Sequence, residues 1–134
     1  MPLPEIGASE ILSIITHIKK WVTNLLRAKA KRKQQSKDAL RAVIKAVRET
    51  TIYLRIIRET GKNSIKKERE LSLLWTELSF KLEDIRLKKL AERCIILSRY
   101  WADPLEFDES FLSKAGKRLS NIEQLAQAGL DGIR

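Results

Sequence analysis

The amino-acid sequence predicts an all-α fold, a single-domain antiparallel bundle of about five helices over residues 1–134. Apolar side chains recur three and four positions apart over most of the chain, which is the spacing of one helix face. No segment alternates polar and apolar residues over the length of a strand. The chain contains five Gly and three Pro, and neither type occurs between Ser9 and Thr60, so few turns interrupt the helices.

The first predicted helix covers residues 9–30, and Ser9 is placed to be its N-cap. Its apolar positions follow a spacing of 4, 3, 4 and 3 residues, and neighbouring apolar residues widen the stripe. The stripe consists of Ile11, Leu12, Ile14, Ile15, Ile18, Trp21, Val22, Leu25 and Leu26.

The second predicted helix covers residues 36–60. Residues 27–37 contain no apolar side chain except two alanines, so they form either a turn or a charged section of one long helix. A single helix of roughly 50 residues would be roughly 75 Å long, which is unusual in a compact domain. We therefore expect a turn at residues 31–36, with Ser36 as the N-cap of the second helix.

The third and fourth helices are predicted at residues 65–83 and 86–102. Gly61 is expected to adopt the left-handed conformation that ends the second helix, and Ser64 to cap the third. Because proline disfavours helix at the residue before it, Pro104 ends the fourth helix.

The fifth helix is predicted at residues 109–128, beginning after Asp108 and ending at Gly129. Phe107 and Leu112 occupy the two positions of a hydrophobic staple at its start.

Residues 72–104, about a quarter of the chain, contain eight residues at the spacing of a known helix-pair pattern, namely Trp75, Leu78, Ser79, Leu82, Ala91, Ile95, Ser98 and Pro104. On these positions the segment resembles a single tetratricopeptide-like helical hairpin. Serine replaces the usual glycine of that pattern, leucine the usual aromatic residue, and the proline is one position late. No second copy is found 34 residues before or after it. The resemblance implies a protein-interaction scaffold.

The positive charge of the chain is concentrated in one segment. The formal net charge is +10, and residues 19–48 alone hold eleven Lys or Arg against one acid, Asp38. In the second helix, Lys37, Arg41, Lys45 and Arg48 follow each other at intervals of 4, 4 and 3 residues, which places them on one face. Clustered cations of this kind are typical of proteins that bind a polyanion.

The sequence therefore favours a small non-catalytic accessory protein that binds a polyanion, with the backbone of RNA or DNA as the first expectation. Trp21, Tyr53 and Tyr100 are the aromatic residues that could stack on unpaired bases, although the spacing of Trp21 also fits a buried stripe. The expected binding residues are Arg27, Lys29, Lys31, Arg32, Lys33, Lys37, Arg41, Lys45 and Arg48.

Two alternatives use protein or membrane contacts instead. In the first, the chain is an adaptor or homo-oligomer subunit whose basic segment meets an acidic protein surface. The wide apolar stripe of the first helix would then supply the protein interface, through Ile11, Ile14, Ile18, Trp21 and Leu25. In the second alternative, residues 11–33 lie as a basic amphipathic helix on an anionic membrane, but this helix face is poor in charge before Lys19.

The residue types needed for catalysis and metal binding are scarce. The chain has one histidine, His17, and one cysteine, Cys94, and it lacks a glycine-rich phosphate loop. We therefore expect neither an enzyme nor a metal or other cofactor, and we interpret Cys94 as a buried core residue. The sequence has no predicted secretion signal or membrane-spanning run, so a cytoplasmic location is expected.

Overall fold

The computed structural model describes residues 3–102 and 109–133, and these residues form five α-helices and no strand. The helices are α1 (Leu3–Leu25), α2 (Ala30–Thr60), α3 (Ile65–Asp84), α4 (Lys88–Ala102) and α5 (Glu109–Gly132). The predicted all-α helical bundle is confirmed.

The main helix contacts form a closed ring. Helix α1 packs against α4 and α5, α2 packs against α3 and α5, and α3 packs against α4. Going around the bundle, the order is therefore α1, α5, α2, α3 and α4. This order leaves the side of α2 that faces away from α3 and α5 exposed to solvent.

Large aromatic side chains fill the centre of the bundle. Trp75 and Trp101 are both fully buried, and the ring of Tyr53 meets that of Trp101 edge-on at a centroid distance of 6.1 Å. The indole N–H of Trp75 donates a hydrogen bond of 2.9 Å to Thr50 Oγ1, and the Thr50 hydroxyl donates to the Ala46 carbonyl at 2.7 Å. The Trp75 N–H and the Thr50 hydroxyl are therefore both paired within the core.

The connection from α2 to α3 confirms both predicted caps. Gly61 has a φ of 70°, and its N–H donates to the Ile57 carbonyl at 2.7 Å. The Ser64 hydroxyl accepts a hydrogen bond of 3.2 Å from the backbone N–H of Lys67. Tyr53 holds the connection from inside, because its hydroxyl accepts from the Ser64 N–H at 2.9 Å and donates to Glu68 Oε2 at 2.6 Å.

The turn between α1 and α2 is placed differently from the prediction. Helix α1 begins at Leu3, so Ser9 is not its N-cap, and α2 begins at Ala30, so the expected turn at residues 31–36 is wrong. Residues 30–35 are all good helix formers, so α2 begins six residues earlier than predicted. Ser36 is a buried residue within α2, and its hydroxyl accepts a hydrogen bond from Trp21 instead of capping the helix.

The end of α5 also differs from the prediction, since the helix continues past Gly129 to Gly132. Gly129 serves for close packing. A Cβ at this position would lie 3.0 Å from Val22 Cγ2 and 3.4 Å from Leu40 Cδ2. The glycine thus lets α5 fit between α1 and α2. Pro104, Phe107 and Asp108 lie outside the described residues, so the helix end at Pro104 and the hydrophobic staple stay predictions.

Candidate functional site

We call the nine expected binding residues the basic surface. They lie on the turn between α1 and α2 and on the first nineteen residues of α2. Lys33 and Lys37 are half-buried and the other seven are exposed. The basic surface consists of Arg27, Lys29, Lys31, Arg32, Lys33, Lys37, Arg41, Lys45 and Arg48.

Five of these cations form a line along α2. They are spaced 4, 4, 4 and 3 residues apart, and at about 100° of rotation per residue they fall within an arc of roughly 120°. The line is roughly 22 Å long at about 1.5 Å of rise per residue. The opposite face of α2 carries Ala39, Val43 and Ala46, which are buried in the core. The members of the line are Lys33, Lys37, Arg41, Lys45 and Arg48.

The other four cations lie where α2 extends beyond the core. No residue from 26 to 35 is buried, and the first buried residue of α2 is Ser36. The turn and the first turn and a half of α2 are therefore open to solvent on several sides. Their cations are Arg27, Lys29, Lys31 and Arg32.

The beginning of α2 lacks the groups that usually stabilise a helix start. Lys29 is the N-cap residue, its side chain makes no capping hydrogen bond, and the first turn of α2 has no acidic residue. The backbone N–H groups of a helix start carry partial positive charge, so cations here add to that charge instead of balancing it. The electrostatic potential at this end of α2 is thus strongly positive.

Little of the charge on the basic surface is neutralised. Asp38 is the one acid between residues 27 and 48. Arg48 Nε lies 3.4 Å from Glu123 Oε1 of α5, and this is the one ion pair of the nine cations among the residues that the structure describes. Exposed pairs of this kind contribute little to stability. The remaining eight cations are therefore available to a ligand.

The aromatic residues that could have stacked on bases are all buried. Trp21, Tyr53 and Tyr100 are at most 6% exposed, so none of these three candidates presents its ring to an unpaired base. The cause is core packing, because each of them lies on the inner face of its helix. The apolar spacing noted for Trp21 was the informative signal.

The predicted protein interface on the first helix is also wrong. The five residues proposed for it are at most 3% exposed, because α1 packs against both α4 and α5 of the same chain. Packing against two neighbours explains the width of the apolar stripe. Because the stripe is buried within the chain, it cannot face a membrane, as the membrane alternative requires. None of the described helices is long and apolar enough to cross a membrane. The five residues are Ile11, Ile14, Ile18, Trp21 and Leu25.

His17 and Cys94 both occupy positions where helices pack against each other. The Cys94 side chain is buried, and burial raises the pKa of its thiol well above the ordinary value. His17 is half-buried at the junction of α1 and α4. Its pKa is lowered, first by burial and then by the positive charges of Arg93, Lys89 and Lys20.

The structure also exposes residues that the sequence analysis did not single out. Leu73 and Phe80 on α3 are 67% and 57% exposed and lie seven residues apart on one outer face. The sequence did contain a signal of their exposure, because both residues fall outside the apolar spacing that forms the core face of α3. Arg55 continues the line of α2 cations seven residues after Arg48, but it is paired with Glu59 at 3.1 Å.

The basic surface can offer charge and hydrogen-bond donors. Arginine presents a planar fork that binds two oxygens of a phosphate or carboxylate, whereas lysine acts as a point charge. Over the described residues there is no group of three His, Cys, Asp or Glu that could hold a metal ion. Comparison of the chain with protein-family models, with curated proteins and with solved structures gives no match in any of the three.

Proposed function

We propose that this chain is a non-catalytic accessory protein that binds the phosphate backbone of nucleic acid through its basic surface. The observation that carries the proposal is the arrangement of nine cations on the turn and the first nineteen residues of α2, five of them along one helix face, with a single ion pair among them in the described structure. The rest of the chain has nearly balanced charge, so this concentration is not needed for solubility.

Phosphate contacts give this kind of binding two measurable properties. Cations that neutralise phosphates release counterions, so the affinity falls steeply with salt. Contact with about six phosphates gives a slope near −5 in log K against log salt, and roughly a thousandfold loss between 50 and 200 mM salt. Lysine and arginine contacts to phosphate also carry little base information, so the sequence preference is weak.

The geometry favours nucleic acid over an acidic protein as the partner. The line on α2 places a cation about every 6 Å over roughly 22 Å. A duplex carries one negative charge per about 1.7 Å of its axis. Phosphates are therefore available to the cations along the whole length of the line. An acidic protein surface would need a comparable row of carboxylates, and these repel each other unless they are paired.

The test is fluorescence anisotropy with labelled DNA and RNA of about 20 nucleotides or base pairs, at 50 and 200 mM salt. The binding variant carries Glu at Arg32, Lys33, Arg41 and Lys45. The control carries Glu at the exposed residues Lys62, Lys66, Lys81 and Lys117, which lie outside the basic surface. Both variants have a formal net charge of +2, because each reversal removes two charges from +10.

We expect the binding variant to lose at least tenfold more affinity than the control at 50 mM salt. An equal loss in both variants would show that net charge alone drives binding, and it would contradict the assigned site. Absence of binding at 50 mM salt, or an affinity independent of salt, would overturn the proposal. Binding to polyglutamate but not to nucleic acid would favour the acidic-protein alternative.

A further inference from the structure

We infer that the basic surface selects double-stranded over single-stranded nucleic acid, an inference that rests on the proposed function. Two independent observations point to it. The described structure places no aromatic ring on the basic surface, and one uninterrupted helix holds five of its cations in a row.

The first observation concerns stacking. Proteins that bind single strands without sequence preference combine cations with exposed aromatic rings, on which the unpaired bases stack. Every described Trp and Tyr of this chain is buried in the core, namely Trp21, Tyr53, Trp75, Tyr100 and Trp101.

Among the Trp, Tyr and Phe side chains whose exposure the structure describes, Phe80 on α3 is the exposed one. It projects roughly 140° around α3 from Lys67, whose ammonium group reaches Glu49 of α2 at 3.5 Å. Phe80 therefore points away from α2, and a strand bound along the basic surface cannot stack on it. The bases of a duplex are stacked on each other and need no such ring.

The second observation concerns rigidity. Lys33, Lys37 and Arg41 begin a line that belongs to one uninterrupted helix, and the core packs against the back of that helix. A duplex has a persistence length of about 50 nm, so its phosphates already stand in fixed rows. A single strand has to be straightened and ordered before it can meet the same line, which costs conformational entropy.

The phosphate density of a duplex and the directions of the cations on α2 also favour double-stranded nucleic acid. Over a given length, a duplex presents twice as many phosphates as one strand. At the beginning of α2, the side chains of Lys31, Arg32 and Lys33 leave the helix in directions about 100° apart. The two phosphate backbones of a duplex lie on either side of a groove, so they can contact cations that point in different directions at the same time. The single phosphate backbone of one strand contacts fewer of these cations at once.

The experiment compares a DNA duplex of about 20 base pairs with each of its two separated strands, in anisotropy titrations at 100 mM salt. The strands are chosen without self-complementary segments. We expect the duplex to bind at least tenfold more tightly than either strand. We also expect a steeper salt dependence, because the slope per contact is about −0.9 for a duplex and about −0.7 for a single strand.

A matched variant, Phe80→Ala, tests the stacking argument. Phe80 is exposed, so the substitution leaves the core intact, and we expect unchanged affinity for the single strands. A loss of single-strand affinity in this variant would show that a base stacks there, and it would overturn the inference. Equal or tighter binding of single strands by the unmodified chain would overturn it as well, while leaving the proposed function in place. Failure to bind either form at 50 mM salt would remove both.

Discussion

Trp21 of α1 donates a hydrogen bond of 3.4 Å from its indole Nε1 to the hydroxyl of Ser36 in α2, and both residues are buried. This contact joins the two helices across the turn at residues 26–29. It ties the part of α2 that carries the basic surface to α1. A serine that looked like a helix cap in the sequence is a tertiary contact in the structure.

Replacing Ser36 with Ala removes the acceptor of the Trp21 N–H. A buried donor without a partner costs about 1–3 kcal/mol, and the long distance and the better helix propensity of alanine place the net loss near 1 kcal/mol. We expect the melting temperature to fall by about 4 °C, measured by circular dichroism. Gln35→Ala, an exposed neighbour, is the control. A Ser36→Ala variant as stable as the control would show that the contact contributes nothing.

Replacing Tyr53 with Phe removes a hydroxyl that bonds both Glu68 and the Ser64 N–H. Hydrogen bonds to a charged group contribute about 1.5–3 kcal/mol, so we expect a loss of about 2 kcal/mol in urea unfolding. Glu59→Gln, which breaks the exposed pair with Arg55, is expected to cost less than about 0.5 kcal/mol. Similar losses in the two variants would contradict the role given to the buried network.

Replacing Gly129 with Val forces side-chain atoms into the space between Val22 and Leu40. Overpacking of this kind costs about 1–3 kcal/mol. At Gly132 the nearest atom is Cδ2 of the exposed Leu26, which can move away, so Gly132→Val is the tolerated control. Adding Val22→Ala to Gly129→Val should restore part of the stability. If the double variant is as unstable as the sum of its parts, the clash lies elsewhere.

Removing the carboxylate of Glu123, which pairs with Arg48 of the basic surface, should strengthen nucleic-acid binding. Glu123 lies 3.4 Å from Arg48, and Glu123→Gln leaves that guanidinium without a protein partner among the described residues. We expect nucleic-acid affinity to rise about twofold to threefold at 100 mM salt, and the gain to shrink at higher salt. Glu77→Gln, an exposed acid on α3, changes the net charge equally and is expected to have a smaller effect.

The folded chain should lose stability in mildly acidic solution through His17. Burial and the charges of Arg93, Lys89 and Lys20 lower its pKa below the ordinary histidine value of 6.5. The unfolded chain therefore binds more protons below that pH, and stability falls as the pH decreases. We expect His17→Gln to lose less melting temperature than the unmodified chain between pH 7 and pH 5. Identical losses would show that His17 does not contribute.

The sequence was sufficient to predict features that depend on residues close together in the chain. Gly61 and Ser64 end and begin helices for reasons within a few residues, and both caps were confirmed. The spacing of Lys37, Arg41 and Lys45 placed them on one helix face, and in the structure Arg41 and Lys45 are exposed while Lys37 is half-buried.

Features that depend on distant contacts could not be predicted in this way. Ser36 has the chemistry of a cap, but its partner is an indole on another helix. The apolar stripe around Ile14 and Ile18 had to be covered, and only the ring order reveals that α4 and α5 cover it. The resemblance of residues 72–104 to a tetratricopeptide-like unit stays a prediction. The contact from the Ser79 hydroxyl to the Ala91 carbonyl, 2.9 Å, is one that any close helical hairpin can make.

The close fit at Gly129 has a consequence for how the chain folds. Helices α1 and α2 follow each other directly, yet each depends on α5 for a large part of its packing, and Gly129 is more than 85 residues from Leu40 in sequence. Such distant contacts form slowly, because a long loop must close before they stabilise anything. Until α5 inserts, the inner face of α2 lacks one of its two walls. The support behind the basic surface therefore depends on contacts that close some of the longest loops in the chain.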